Sequence, residues 1–82
     1  MELINEIPNA YIDIPAKIFK QDNEIIIKVN NGAFYMADKD IDSLDENVLY
    51  QLGEHCLYDD PSEEQHYTVK IQSNGNLSIE ER

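Results

Sequence analysis

EIIIKVNNGAFYMAD, residues 24–38, is the stretch that decides the fold. Apolar side chains alternate with other residues on both sides of Asn31 and Gly32, which is the period of a β-strand with one buried face. If those two residues form the type I′ loop that Asn-Gly favours, Ile27 pairs with Met36 and the apolar members share a face. A three-residue loop is possible and buries less. The stretch therefore predicts a β-hairpin.

Two further segments have the period of a strand. Residues 11–20 alternate and predict a strand before the hairpin, which makes a three-stranded meander. Residues 67–79 predict a second hairpin. A three-residue loop, Ser73–Gly75, is needed there because it pairs Ile71 with Leu77 and puts the glycine at the left-handed position of the loop.

Helical signals lie between the hairpins and at the start of the chain. Ser43 followed by Glu46 has the spacing of a capping box and predicts a helix from that point. Its apolar face consists of Leu44, Val48, Leu49, Leu52 and Cys56. Glu2–Ile7 predicts a short helical turn that Pro8 ends. The order predicts an α+β fold: a short N-terminal helix, an antiparallel meander, one main helix on the sheet and a C-terminal hairpin.

Length and composition restrict the class of protein. The chain has 82 residues, of which 41% are apolar, and these values predict one folded domain over residues 1–82. Cys56 is the only cysteine, so no internal disulfide is possible, and no stretch approaches a membrane span. A net charge of −11 opposes direct binding to nucleic acid or anionic lipid. We expect a cytoplasmic protein.

The chain lacks the motifs of an enzyme or a metal site. Its candidate zinc ligands, His55, Cys56 and His66, do not have a structural-zinc spacing. Alternating aspartates from Asp38 begin like a calcium loop, but Ser43 occupies the position of the essential glycine and Leu49 that of the bidentate glutamate. No phosphate loop is present either. We expect no enzymatic activity and no cofactor.

The segment from Asp38 to Glu64 is the best indication of function, because it holds ten carboxylates against one cation, Lys39. Carboxylates on a folded surface can replace phosphates in a channel that Lys and Arg line. If residues 38–42 are extended, alternate aspartates are about 6.7 Å apart and form a phosphate-like row. The predicted partner-binding residues of this segment are Asp38, Asp40, Asp42, Asp45, Glu46, Tyr58, Asp59, Asp60, Glu63 and Glu64.

The stretch EIIIKVNNGAFYMAD, with the preceding ELINEI and the acidic helix, resembles the small phage-encoded anti-CRISPR inhibitors of the type II-A effector nuclease. The resemblance implies a protein that occupies the PAM-reading site of the nuclease. It adds Asn30, Asn31 and Gly32 as a hairpin tip that contacts the partner. The closing VKIQSNGN is similar to the end of the phage inhibitors of uracil-DNA glycosylase, which are also acidic DNA mimics.

These patterns predict an acidic DNA-mimic inhibitor whose partner is a basic nucleic-acid-binding protein, with an anti-CRISPR protein as the leading form. Two alternatives stay open at this point. One is an immunity or antitoxin protein that neutralises a nuclease toxin. The other is a structural or adaptor domain whose acidic residues only face solvent, which is what charged runs usually do.

Overall fold

A computed structural model describes residues 1–57 and 62–82 of the chain. These residues form β1 (Glu2–Tyr11), β2 (Ile14–Gln21), β3 (Glu24–Val29), β4 (Gly32–Ala37), a 3₁₀ helix (Asp38–Ser43), α1 (Glu46–His55), β5 (Gln65–Ile71) and β6 (Leu77–Glu81). The strands make one sheet in chain order, β1 to β6. Neighbouring strands are antiparallel except β4 and β5, which are parallel. The α+β class is confirmed, and both predicted hairpins belong to the same sheet.

The predicted N-terminal helix is wrong, because this segment is strand β1. It lies at the edge of the sheet and pairs only with β2, and Pro8 falls in the irregular stretch of that pairing between Ile7 and Tyr11, which is where a sheet tolerates a proline. Ile7 lies opposite Ala16, and Ala10 and Tyr11 are buried. A tertiary contact at the C-terminal end of the segment therefore overrides the local signal that a proline ends a helix.

The central hairpin has the predicted buried face but a different turn. Val29 pairs with Gly32, so the two-residue loop is Asn30–Asn31, and the predicted Asn31–Gly32 loop is wrong. Ile27 lies opposite Phe34 rather than Met36. Because the pairing differs by two residues, the same side chains still face the core. Asn30 supplies the positive φ of the turn, at 52°.

Gly32 is needed for packing rather than for the turn. A Cβ at this position would collide with the Cys56 Sγ and would lie 2.7 Å from the Phe34 ring. The end of α1 therefore approaches the sheet closely at the first residue of β4. This contact explains why the glycine follows the turn instead of occupying it.

The C-terminal hairpin is confirmed in register and in turn. Ile71 lies opposite Leu77, and the Gln72 N–H donates to the Asn76 carbonyl at 2.9 Å, which leaves a three-residue loop. Gly75 has a φ of 84° in that loop. This turn was predictable because every interaction that specifies it is local.

The helix begins later than predicted. Asp45 is the N-cap, and its carboxylate accepts a hydrogen bond from the Val48 N–H at 2.9 Å. Ser43 is the last residue of the 3₁₀ helix, so the predicted capping box is wrong. The predicted apolar face is confirmed by the burial of Val48, Leu49, Leu52 and Cys56, with Leu44 partly buried before the helix.

The core lies between α1 and one face of the sheet. Its largest fully buried side chains are Phe34, Ile25, Ile27, Leu49, Leu52, Val29, Val69 and Cys56. Each large apolar side chain buried in this way contributes roughly 1.5–3 kcal/mol. Gly53 lets the helix approach β1, because an added Cβ would collide with Tyr11. This single layer of helix covers one side of the sheet only.

The opposite side of the sheet, which we call the open face, is defined by the strand register. One row of cross-strand partners crosses all six strands and consists of Leu3, Phe19, Ile26, Tyr35, Thr68 and Glu80. A second row consists of Glu6, Lys17, Lys28, Ala33 and His66, and the Arg82 N–H donates to the His66 carbonyl at its end. None of the helices in residues 1–57 and 62–82 is long and apolar enough to cross a membrane.

Candidate interaction surfaces

The aspartates that follow β4 do not form the predicted extended row. Asp38–Ser43 is a 3₁₀ helix, in which residues two apart are separated by about 4 Å along the axis and about 240° around it. Their carboxylates therefore point in different directions. Asp38 is also paired with Lys20 at 3.1 Å, and its N–H donates to the Asn23 carbonyl. This residue anchors the 3₁₀ helix to the β2–β3 turn.

Asp45 and Glu46 lie where anions stabilise a helix. Asp45 accepts the Val48 N–H and thereby satisfies one of the free donors at the start of α1. Glu46 lies in the first turn, beside the positive end of the helix dipole. Asp45 therefore serves the helix itself, whereas the carboxylate of Glu46 is exposed.

We give the name acidic surface to four carboxylates that are spread over the 3₁₀ helix and α1 and point in more than one direction: Asp40, Asp42, Glu46 and Glu54. None of the four makes an ion pair within residues 1–57 and 62–82. Glu46 and Glu54 are eight residues apart on α1, which separates them by about 12 Å along the axis. Unpaired carboxylates therefore flank the helix over most of its length.

Tyr50 lies on the same helix and is 44% exposed. Its ring packs on the buried Tyr11 ring, with 4.9 Å between the centroids. The contact holds the tyrosine in place while leaving part of it accessible. Tyr50 is therefore an accessible aromatic side chain on the helix that carries Glu46 and Glu54.

The predicted hairpin tip is engaged inside the molecule. The Asn30 side-chain amide donates to the Cys56 carbonyl at 2.8 Å, and the Asn31 carbonyl accepts the Gln65 N–H at 2.8 Å. Gly32 is buried beneath the end of α1. These interactions join β4 to the helix and to β5. The three residues therefore hold the fold together at this point.

The remaining predicted residues lie in or beside the loop before β5. Tyr58, Asp59 and Asp60 are outside the described residues. Glu63 is exposed, and Glu64 pairs with Lys28 at 3.3 Å. Because Lys28 belongs to the open face, Glu64 is held toward that face and away from the acidic surface.

The three candidate zinc ligands do not converge. The His55 ring packs edge-on against Tyr67, with 4.8 Å between centroids, on the helix side of the sheet. His66 lies on the open face, where its Nδ1 is hydrogen-bonded to the Tyr35 hydroxyl at 3.2 Å. Cys56 is buried. In the described part of the chain, no three His, Cys, Asp or Glu side chains are grouped to hold a metal ion.

The sequence patterns missed a cluster of interacting side chains on the open face. The Arg82 guanidinium lies 3.9 Å from the centroid of the Tyr35 ring and pairs with Glu24 at 3.2 Å. The Lys28 ammonium lies 5.9 Å from the Phe19 ring. The alternation of the strands could have placed Phe19 and Tyr35 on one face. The contacts of β5 and β6 could not be inferred, because they depend on the parallel pairing of β4 with β5.

Charge is divided unequally between the two sides of the molecule. Four of the six cations lie on the open face, and so do four carboxylates: Lys17, Lys28, Lys70 and Arg82 with Glu6, Glu24, Glu64 and Glu80. The open face is therefore balanced. The net charge of −11 comes from the rest of the chain, to which the acidic surface belongs.

Comparison of the chain with protein-family models, with curated proteins and with solved structures found no match. The chain's own surfaces are therefore the guide to its function. Two of them differ sharply in character: the acidic surface has unpaired charge, and the open face has balanced charge around apolar and aromatic side chains.

Proposed function

We propose that the protein is a non-enzymatic inhibitor that binds a basic nucleic-acid-binding protein and blocks its DNA site. The observation that carries the proposal is the acidic surface, whose four carboxylates have no cationic partner among the described residues. Charge of this kind costs the folded state self-repulsion and gives it no packing. A cationic partner would supply the missing counter-charge.

The helix gives the acidic surface a fixed shape. Carboxylates mounted on α1 and on the adjoining 3₁₀ helix lose little conformational freedom when they bind. Arginine side chains that line a DNA channel would take such carboxylates in bidentate pairs. Tyr50 offers an amphipathic contact beside them, a role in which tyrosine is common at interfaces. The spacing of the carboxylates, rather than a linear row, would determine which channel fits.

The first candidate target is the PAM-reading site of the type II-A CRISPR effector nuclease, in line with the resemblance of residues 24–38 to phage anti-CRISPR inhibitors. That site presents arginines that read acceptor-rich DNA edges, so a carboxylate surface suits it chemically. An inhibitor of this kind would act in the cytoplasm of the host cell.

The test replaces the four carboxylates of the acidic surface by their amides: Asp40→Asn, Asp42→Asn, Glu46→Gln and Glu54→Gln. We expect the fold to be retained, because none of the four is paired, and we expect affinity for the captured partner to fall at least about tenfold. The partner is obtained by affinity capture from bacterial lysate with the whole chain. Binding is then measured by calorimetry, with duplex DNA as the competitor.

A control variant removes the same number of negative charges elsewhere, through Glu2→Gln, Glu6→Gln, Glu80→Gln and Glu81→Gln. It should bind within about twofold of the original chain at physiological salt, where the Debye length is about 8 Å. Equal loss in both variants would mean that only total charge matters. Unchanged binding in the first variant, or a captured partner that DNA does not displace, would refute the proposal.

A further inference from the structure

Strand β1 is an edge of the sheet, so half of its backbone groups have no strand beside them. In an antiparallel ladder, residues that exchange hydrogen bonds with the neighbouring strand alternate with residues whose N–H and C=O point away from it. Glu6 is of the second kind, because its N–H donates to the Oδ1 of Asn5 at 2.9 Å. This hydrogen bond is exposed, and the carbonyl of an added strand can replace the Asn5 oxygen at little cost.

The start of β1 also exposes apolar side chains. Met1, Leu3 and Ile4 follow one another along this edge and are 64%, 50% and 39% exposed. The opposite edge, β6, has only five residues and ends in Glu80 and Glu81, and short length and charge both keep an edge strand from pairing. β1 has ten residues. It is therefore the edge that is better suited to an additional strand.

A hollow between β1 and α1 continues this edge. Its volume is about 380 Å³, and it is lined by Ile7, Pro8, Asn9 and Ala10 from the strand and by Glu46, Leu49 and Tyr50 from the helix. Because alternate side chains of a strand point to the same face, an added strand would direct one of its side chains into the hollow. Edge strands with adjoining pockets for side chains are a recurring means of binding extended peptides.

From these features we infer that the edge of β1 and the adjoining hollow bind an extended segment of another protein, as an additional antiparallel strand with an arginine in the hollow. Charge selects this occupant. Glu2, Glu6 and Glu46 make no ion pair within residues 1–57 and 62–82. They repel an acidic segment, and a second copy of this chain brings a further net charge of −11. The inference is independent of the proposed function, whose partner presents a folded basic surface.

Arginine matches the lining of the hollow in each of its parts. Its aliphatic stem can cover Leu49 and Ile7, as long cationic side chains commonly do on apolar surface. Its guanidinium can form a bidentate pair with the Glu46 carboxylate. It can also stack on the Tyr50 ring, which is 44% exposed. Lysine would offer only a point charge here, so the hollow favours arginine.

Two acetylated and amidated peptides test the inference: TRTVTVR and its acidic counterpart TETVTVE. Seven extended residues span about 23 Å, which is enough to lie along residues 2–7 and reach the hollow. By calorimetry with the whole chain in about 0.15 M NaCl, the basic peptide should bind with a dissociation constant below about 1 mM. It should bind at least about tenfold more tightly than the acidic peptide.

Hydrogen exchange measured by NMR locates the bound peptide on the original chain. With the basic peptide at about ten times its dissociation constant, exchange of the Glu6 amide should slow about tenfold, because only the free edge exchanges. The reference is Glu81 on β6. The Arg82 N–H donates to the His66 carbonyl, so the N–H of the preceding residue points away from β5. Its exchange should not change.

Proline substitutions at these two positions provide matched variants. Glu6→Pro removes the outward N–H of β1, which an edge strand tolerates, and should weaken binding of the basic peptide at least about tenfold. Glu6→Gln removes the charge alone and should weaken it less than about threefold. Glu81→Pro makes the same change on the opposite edge and should leave binding within about twofold of the original.

Several outcomes would overturn the inference. They are equal affinity for the two peptides, no binding of the basic peptide at about 1 mM, and equal losses from Glu6→Pro and Glu81→Pro. If Glu6→Pro does not fold, the exchange of the Glu6 amide in the original chain decides, and an unchanged rate there refutes the site. Sedimentation equilibrium without peptide should give 9.5 kDa, and twice that mass would assign the edge to a second copy and overturn the inference.

Discussion

At the scale of single residues, Gly32 shows how one position reports a contact between distant parts of the chain. The Asn-Gly pair at Asn31 and Gly32 favours a turn, yet the glycine is the first residue of β4 and lies under Cys56. The reason is steric and involves a residue far along the sequence. No local pattern contains that information.

Gly32→Ala should lower the free energy of unfolding by about 1–3 kcal/mol, because the added methyl group overpacks a site enclosed by Cys56 and Phe34. Urea denaturation followed by circular dichroism measures the change. In the double variant with Cys56→Ala, part of the loss should be recovered, since the colliding sulfur is removed. Strictly additive losses would show that the two residues are not in contact.

At the scale of elements, the start of α1 is set by Asp45 and not by Ser43, which the capping-box spacing predicted. Asp45→Ala should cost about 1 kcal/mol of stability, because the Val48 N–H loses its acceptor, and Asp45→Asn should retain most of the stability. Ser43→Ala is the matched control and should cost less than about 0.5 kcal/mol. Thermal and urea denaturation give both values. A larger loss of stability for Ser43→Ala than for Asp45→Ala would instead identify Ser43 as the N-cap.

The elements that could be predicted are those whose determinants are local. The burial of the alternate residues Ile25, Ile27 and Val29 follows from the period of a strand. The apolar face of α1 follows from helical spacing, and the Ser73–Gly75 loop follows from turn geometry. β1 was missed because its strand conformation depends on pairing with β2 and packing under α1. The 3₁₀ helix was missed because its aspartates have no apolar period that would distinguish it from an extended segment.

At the scale of the whole molecule, the least predictable feature is the parallel pairing of β4 with β5. It joins the two hairpins into one sheet, places His66 beside Tyr35 and brings Arg82 over the same ring. The ion pairs of the acidic segment could not be predicted either. Asp38 and Glu64 are neutralised by Lys20 and Lys28, which lie far from them in sequence.

The unequal charge should make the fold more stable in salt. Self-repulsion of a chain at −11 destabilises the compact state, and raising NaCl from about 0.02 to 0.3 M screens it. We expect a gain of about 1 kcal/mol, which for a domain of this size raises Tm by about 4–8 °C. The variant with four amides on the acidic surface should show a smaller gain. A Tm that falls with salt would mean that the ion pairs outweigh the repulsion.

The division between a balanced open face and a charged remainder also gives the molecule an orientation in an electric field. Among the described residues, Glu46 and Glu54 of α1 have no cationic partner, so uncompensated negative charge lies on the side that carries α1. A cationic surface that approaches within a few Debye lengths therefore exerts a torque as well as an attraction. The molecule turns during the approach, and it arrives with its helix, not its sheet, directed at the positive charge.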